Sequence, residues 1–174
     1  MSVLSNIAWL LMAIASITIT YQDFKDRAIS WWPLVLTLLS ALFLSVSGVG
    51  ARATFSAWSF SVLFLVVQFA LVALAFGLGK KQWNFFDHLI GWGDVLFLVA
   101  IAPLFSTVNF LIFYCVSLVI SLVGFGVYKL ISKAQETTVP LAGTLSICLL
   151  FFVPTIKLLG IEPWMELPIH LLMQ

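Results

Sequence analysis

The chain has 174 residues, 63% of them hydrophobic and 9% charged, with a formal net charge of +1. A water-soluble domain of that length has too little interior to hide so much apolar side chain, so the composition points to the bilayer as solvent. No run of Lys or Arg occurs, and nothing in the charge pattern supports a nucleic-acid partner.

A helix needs about 20 apolar residues to cross a hydrocarbon layer some 30 Å thick. Six stretches present themselves in chain order: about 3–22, 31–49, 55–79, 93–106, 107–130 and 138–159. The runs are continuous rather than alternating, which fits helices and not a closed barrel. The expected fold is therefore all-α, a polytopic membrane protein with about six transmembrane helices and a single domain over 1–174. The first stretch has no Lys or Arg before it and is longer than a signal-peptide core, so it reads as a retained helix. The fourth is short, and its border with the fifth falls near Pro103 to Asn109. The segment Glu162-Pro163-Trp164-Met165-Glu166-Leu167-Pro168 is broken by prolines and is expected to lie along the outer interface, where Trp is favoured.

Charge sets the expected orientation. The connections after stretches one, three and five carry Lys25, Arg27, Lys80, Lys81, Lys129 and Lys133, against Arg52 and Lys157 on the other side. Six against two places the odd-numbered connections in the cytoplasm and both termini outside. Asp23 and Asp94 then share the cytoplasmic side. Cys115 and Cys148 lie within apolar runs without the spacing or His neighbours of a zinc site, and read as small hydrophobes.

Only seven residues are acidic, and two of them, Asp23 and Asp94, stand at the edges of apolar stretches. A carboxylate beside hydrocarbon is costly and marks a candidate functional site. Asp94 is framed by Gly91 and Gly93, which permit close approaches that a Cβ would block, and it falls in the first turn or cap of the fourth helix. A plain N-cap is the simpler alternative. Asp23 ends the first helix, where the dipole opposes a negative charge; a local pairing with Lys25 or Arg27 is its structural alternative. Two carboxyls within a few ångströms would share a proton, one activating water and the other polarising a carbonyl and protonating a leaving amine.

The segment Asp23-Phe24-Lys25-Asp26-Arg27-Ala28-Ile29-Ser30 resembles the Asp-x-x-x-Arg/Lys-x-Ile-Pro-Asn segment of type IV prepilin peptidases. Gly91-Trp92-Gly93-Asp94-Val95 is similar to their Gly-x-Gly-Asp-Val motif, and Val139-Pro140-Leu141-Ala142 to their Ile-Pro-Phe-Ala/Gly-Pro segment. The resemblance runs from the first helix to the sixth. It implies an aspartyl endopeptidase of the GxGD type in the bacterial inner membrane, removing the short basic leader of prepilin-like proteins at the cytoplasmic face. It implies Asp23 and Asp94 as the catalytic aspartates, with Gly91, Gly93, Arg27 and Pro140 shaping the site or meeting substrate. Pro140 could break the sixth helix and bare carbonyls to a substrate strand, or simply kink it. Ser30-Trp31 stands where the family has Pro-Asn, with Pro33 displaced, which alters the expected first loop. Nothing corresponds to the N-terminal zinc-bearing region that larger members associate with N-methylation. A cleavage-only enzyme similar to the peptidases of Flp/Tad pilus systems is expected, with no cofactor and no metal.

The remaining polar residues have simpler readings. Asp26 reads as a solvated charge. Asp87 and His88 could meet the leader but read first as loop residues; Glu136 could attract it electrostatically. Lys80 and Lys81 suit anionic lipid headgroups, membrane lipid being the other expected partner. Two further functions fit the same composition, a small proton- or ion-coupled transporter and a catalytically silent pilus or secretion assembly partner. Transporter sites, however, usually lie near the midplane between repeated halves. The sequence sets neither the oligomeric state nor the particular pilin.

Overall fold

The computed structural model describes residues 3–80, 91–132, 141–158, 160 and 162–165. They form six α-helices: α1 Val3–Asp26, α2 Trp31–Val49, α3 Ala51–Lys80, α4 Trp92–Ile101, α5 Thr107–Ser132 and α6 Leu141–Leu158. No strand occurs among the described residues. The protein is an all-α, multi-pass membrane protein. All but α4 are long and apolar enough to span a bilayer, and each matches a stretch expected from hydropathy.

α4 differs. It has ten residues and continues as a 3-10 turn over Ala102–Leu104. At about 1.5 Å and 2 Å per residue respectively, the two together rise about 21 Å, short of the roughly 30 Å layer. Pro103 lies inside that turn, and Phe105 leaves it in an extended conformation. A new helix, α5, then starts at Thr107, so the border expected near Pro103 to Asn109 is a sharp corner.

α1 packs between α2 and α6, α4 sits against α2 and α6, and α3 and α5 close the bundle on the far side of α4. The buried faces are small and polar as often as large: Ala8, Ala15 and Ser16 on α1, Thr37, Ser40 and Ala41 on α2, Ala142, Gly143 and Ser146 on α6. Lipid offers no hydrophobic gain for burying Leu, so close backbone approach and short hydrogen bonds hold such helices together. Hydroxyls on these faces donate back to carbonyls four residues earlier, as Ser16 does to Met12, Thr37 to Pro33 and Ser146 to Ala142. Larger side chains fill the space around the α4 corner, where Phe105 stacks on Phe113 with ring centroids 5.1 Å apart.

Cross-bundle contacts define two ends. At one, the last turn of α1 meets the first turns of α4 and α6. At the other, the end of α2 and the α4–α5 corner meet the turn after α6, and Ser45 of α2 bonds Thr54 at the start of α3. Trp58 of α3 donates its indole N–H to the Val99 carbonyl of α4 (3.1 Å), so α4 is tied to its neighbour midway.

Candidate active site

Asp23 and Asp94 come together at the first turn of α6. The Gly143 N–H donates to Asp23 Oδ2 at 2.6 Å, and the preceding N–H, of Ala142, donates to Asp94 Oδ1 at 2.7 Å. Two adjacent amides of one backbone thus hold two carboxylates from different helices, placing them near enough for the charge of one to act on the other. The first amides of a helix have no partner within it and carry the positive end of its dipole, so they suit anions.

The dipoles distinguish the two acids. Asp94 lies in the first turn of its own helix and faces the first turn of α6 as well. Gly91 is the N-cap of α4, and the Asp94 carboxylate accepts from the Gly91 N–H as well as from Ala142, so the capping alternative holds together with a contact between helices. Asp23 lies in the last turn of α1, whose dipole disfavours it, and depends on α6 for compensation. Asp23 is buried and Asp94 half-buried. The local alternative for Asp23 receives part support, because the Arg27 charge acts on it. Lys25 turns elsewhere, donating to the Tyr21 hydroxyl at 3.1 Å.

The sequence segments around the two acids touch. Ile29 lies over Gly93, where a Cβ would meet Ile29 Cδ1 at 3.0 Å. Gly91 leaves room for its neighbour's carboxylate, since a Cβ there would stand 3.2 Å from Asp94 Oδ2. Both glycines therefore act through space rather than unusual torsions, and neither has a positive φ. Arg27 does, at 53°, and its amide closes the end of α1 on the Asp23 carbonyl at 3.2 Å. That reversal turns the chain toward Ile29, and the Ser30 amide returns to Gln22 Oε1 at 2.9 Å.

Gly143 has no expected role in the sequence, yet the site depends on it. A Cβ there would fall 2.8 Å from Phe24 Cε2 and 2.9 Å from Asp23 Oδ2. One turn on, Thr20 of α1 meets Ser146 of α6, hydroxyl to hydroxyl at 3.1 Å, which fixes the register of the two helices behind Asp23. A Gly three positions after Pro140, followed by Ser146 on the same helical face, is the signal that could have marked this edge. Pro140, Asp87, His88 and Glu136 lie outside the described residues. Asp26 is exposed at the end of α1, in keeping with a solvated charge. Cys115 and Cys148 are free thiols on α5 and α6.

Comparison of the chain with models of known families, with curated proteins and with solved structures finds no match.

Proposed function

We propose that the protein is a membrane aspartyl endopeptidase that cleaves the basic leader from type IV prepilin-like proteins at the cytoplasmic face of the bacterial inner membrane. The observation that carries this reading is the seating of Asp23 and Asp94 on the successive amides of Gly143 and Ala142. A structural ion pair would join opposite charges. This site instead gathers two like ones at a helix N-terminus, an arrangement suited to sharing a proton. The resemblance of both flanking segments to prepilin peptidases, and the contact of Ile29 with Gly93 that joins those segments, support the same reading.

The ionised carboxylate takes a proton from water as the water oxygen attacks the scissile carbonyl carbon. The protonated carboxyl donates a hydrogen bond to the developing oxyanion. Collapse of the tetrahedral intermediate breaks the C–N bond, and a carboxyl proton goes to the leaving amine. The titration belongs to the pair rather than to either residue. No Ser or Cys nucleophile takes part. The substrate would be a small protein with a basic leader ahead of an apolar helix, its helix held in the bilayer while the leader remains in the cytoplasm.

Co-expression with candidate pilins from the same genome tests the reading. Leader removal is expected with the wild-type chain and lost with Asp23→Ala or Asp94→Ala. Processing that continues in both variants would refute it.

A further inference from the structure

Away from the carboxylates, the turn after α6 makes an unusual set of contacts for residues expected to lie flat on the interface. The Pro163 carbonyl accepts from the Ser106 amide at 3.2 Å and from the Asn109 side-chain amide at 2.8 Å, and Asn109 also donates to the Met165 carbonyl. Asn109 and Pro163 are buried. The Trp164 ring sits so close over Gly48 of α2 that a Cβ there would collide with it. Just before the turn, Lys157 places its ammonium 3.7 Å from the centre of the Trp9 ring on α1. The turn is an inserted hook that grips α2 and the α4–α5 corner, while the end of α6 leading into it reaches α1.

The shortness of α4 explains why a hook is needed. Because α4 with its 3-10 turn is shorter than a bilayer is thick, the chain turns back inside the bundle, where Ser106 and Asn109 are buried and an unpaired amide is costly. Carbonyls of the hook satisfy them. α4 is one unbroken helix with Asp94 in its first turn, so whatever fixes the corner also bears on the depth of that carboxylate.

We propose that the Pro163–Trp164 hook, through Asn109 and Ser106, is the positioning element that sets the depth of α4 and thereby the register of Asp94 against Ala142. Asn109 and Trp164 are positioning residues and touch no reacting group. The inference concerns where α4 stands and is independent of whether the chain is a peptidase.

The test reads position directly. In a Cys115→Ala/Cys148→Ala background, spin labels are placed at Ile17→Cys on α1 and Leu96→Cys on α4, both exposed outward. A control pair joins Ile17→Cys to Leu39→Cys on α2, also exposed. Distance distributions are measured in lipid nanodiscs with the hook intact and with Asn109→Ala or the milder Trp164→Ala. The 17–96 distance is expected to shift or broaden by about 2–5 Å, up to one helical turn, while the 17–39 distance holds. An unchanged 17–96 distance in a folded variant would overturn the proposal. So would equal broadening of both pairs, which would make the hook general mortar. If Asn109→Ala does not fold, Trp164→Ala decides.

Discussion

The two ends of α4 are held by opposite chemistry. At one end, side-chain carboxylates of Asp23 and Asp94 accept from backbone amides of α6. At the other, the Asn109 side chain and the Ser106 amide donate to backbone carbonyls of the turn after α6. Backbone carbonyls do not change protonation near neutral pH, so the second end is a fixed anchor. Carboxylates do, so the first end can exchange a proton while its amide donors stay in place. A short helix clamped by one permanent end and one titratable end suits a site whose acids must keep their geometry through a catalytic cycle.

Breaking the titratable end should give the largest effect. Asp23→Asn or Asp94→Asn is expected to lower the cleavage rate of a prepilin-like substrate by roughly 10²–10⁴-fold, the range for loss of a general acid or base, with the helical fold retained by circular dichroism. Next comes Gly143→Ala, which forces Phe24 or Asp23 to move. It should cost about 1–3 kcal/mol in thermal or denaturant unfolding in detergent, and Phe24→Ala in the same chain should recover part of that loss. The fixed end should be about as sensitive in stability. Asn109→Ala leaves the Pro163 and Met165 carbonyls without this donor, for a loss of about 1–3 kcal/mol by the same measurement.

Smaller effects sharpen the comparison. Gly93→Ala presses on Ile29 Cδ1, and Ile29→Val removes that atom, so the double variant should be more stable than Gly93→Ala alone. A double variant no better than the single would show that the two segments are not in contact. Thr20→Val deletes the bond to Ser146 and the one to the Ser16 carbonyl while keeping the shape, and should cost only about 0.5–1.5 kcal/mol. Equal losses for Thr20→Val and Gly143→Ala would mean that the α1–α6 seam, rather than the carboxylate clamp, dominates this end.

Much of this architecture is legible in the residues because lipid imposes simple rules. Length and hydropathy place the helices to within a few residues, since a spanning helix must satisfy its own backbone and cover about 30 Å. The two acids stand out because carboxylates near hydrocarbon are rare and costly. What stayed hidden depends on backbone atoms and distant partners. The amides that hold Asp23 and Asp94 belong to Gly143 and Ala142, and no side chain advertises them. Gly143 is set by contact with Phe24, 119 positions away, which no local pattern encodes. The segment around Trp164 looks like an interfacial anchor until Gly48 and the α4–α5 corner are seen to need a filler.

In a shared-proton site Asp23 and Asp94 work as one unit. A kinetic double-variant cycle in lipid, with wild type, Asp23→Asn, Asp94→Asn and both together acting on one prepilin-like substrate, tests it most directly. Each single change is expected to reduce cleavage to the same residual rate, and the double change to lower it no further. A double variant slower by the product of the two single effects, or either single variant at wild-type rate, would contradict it.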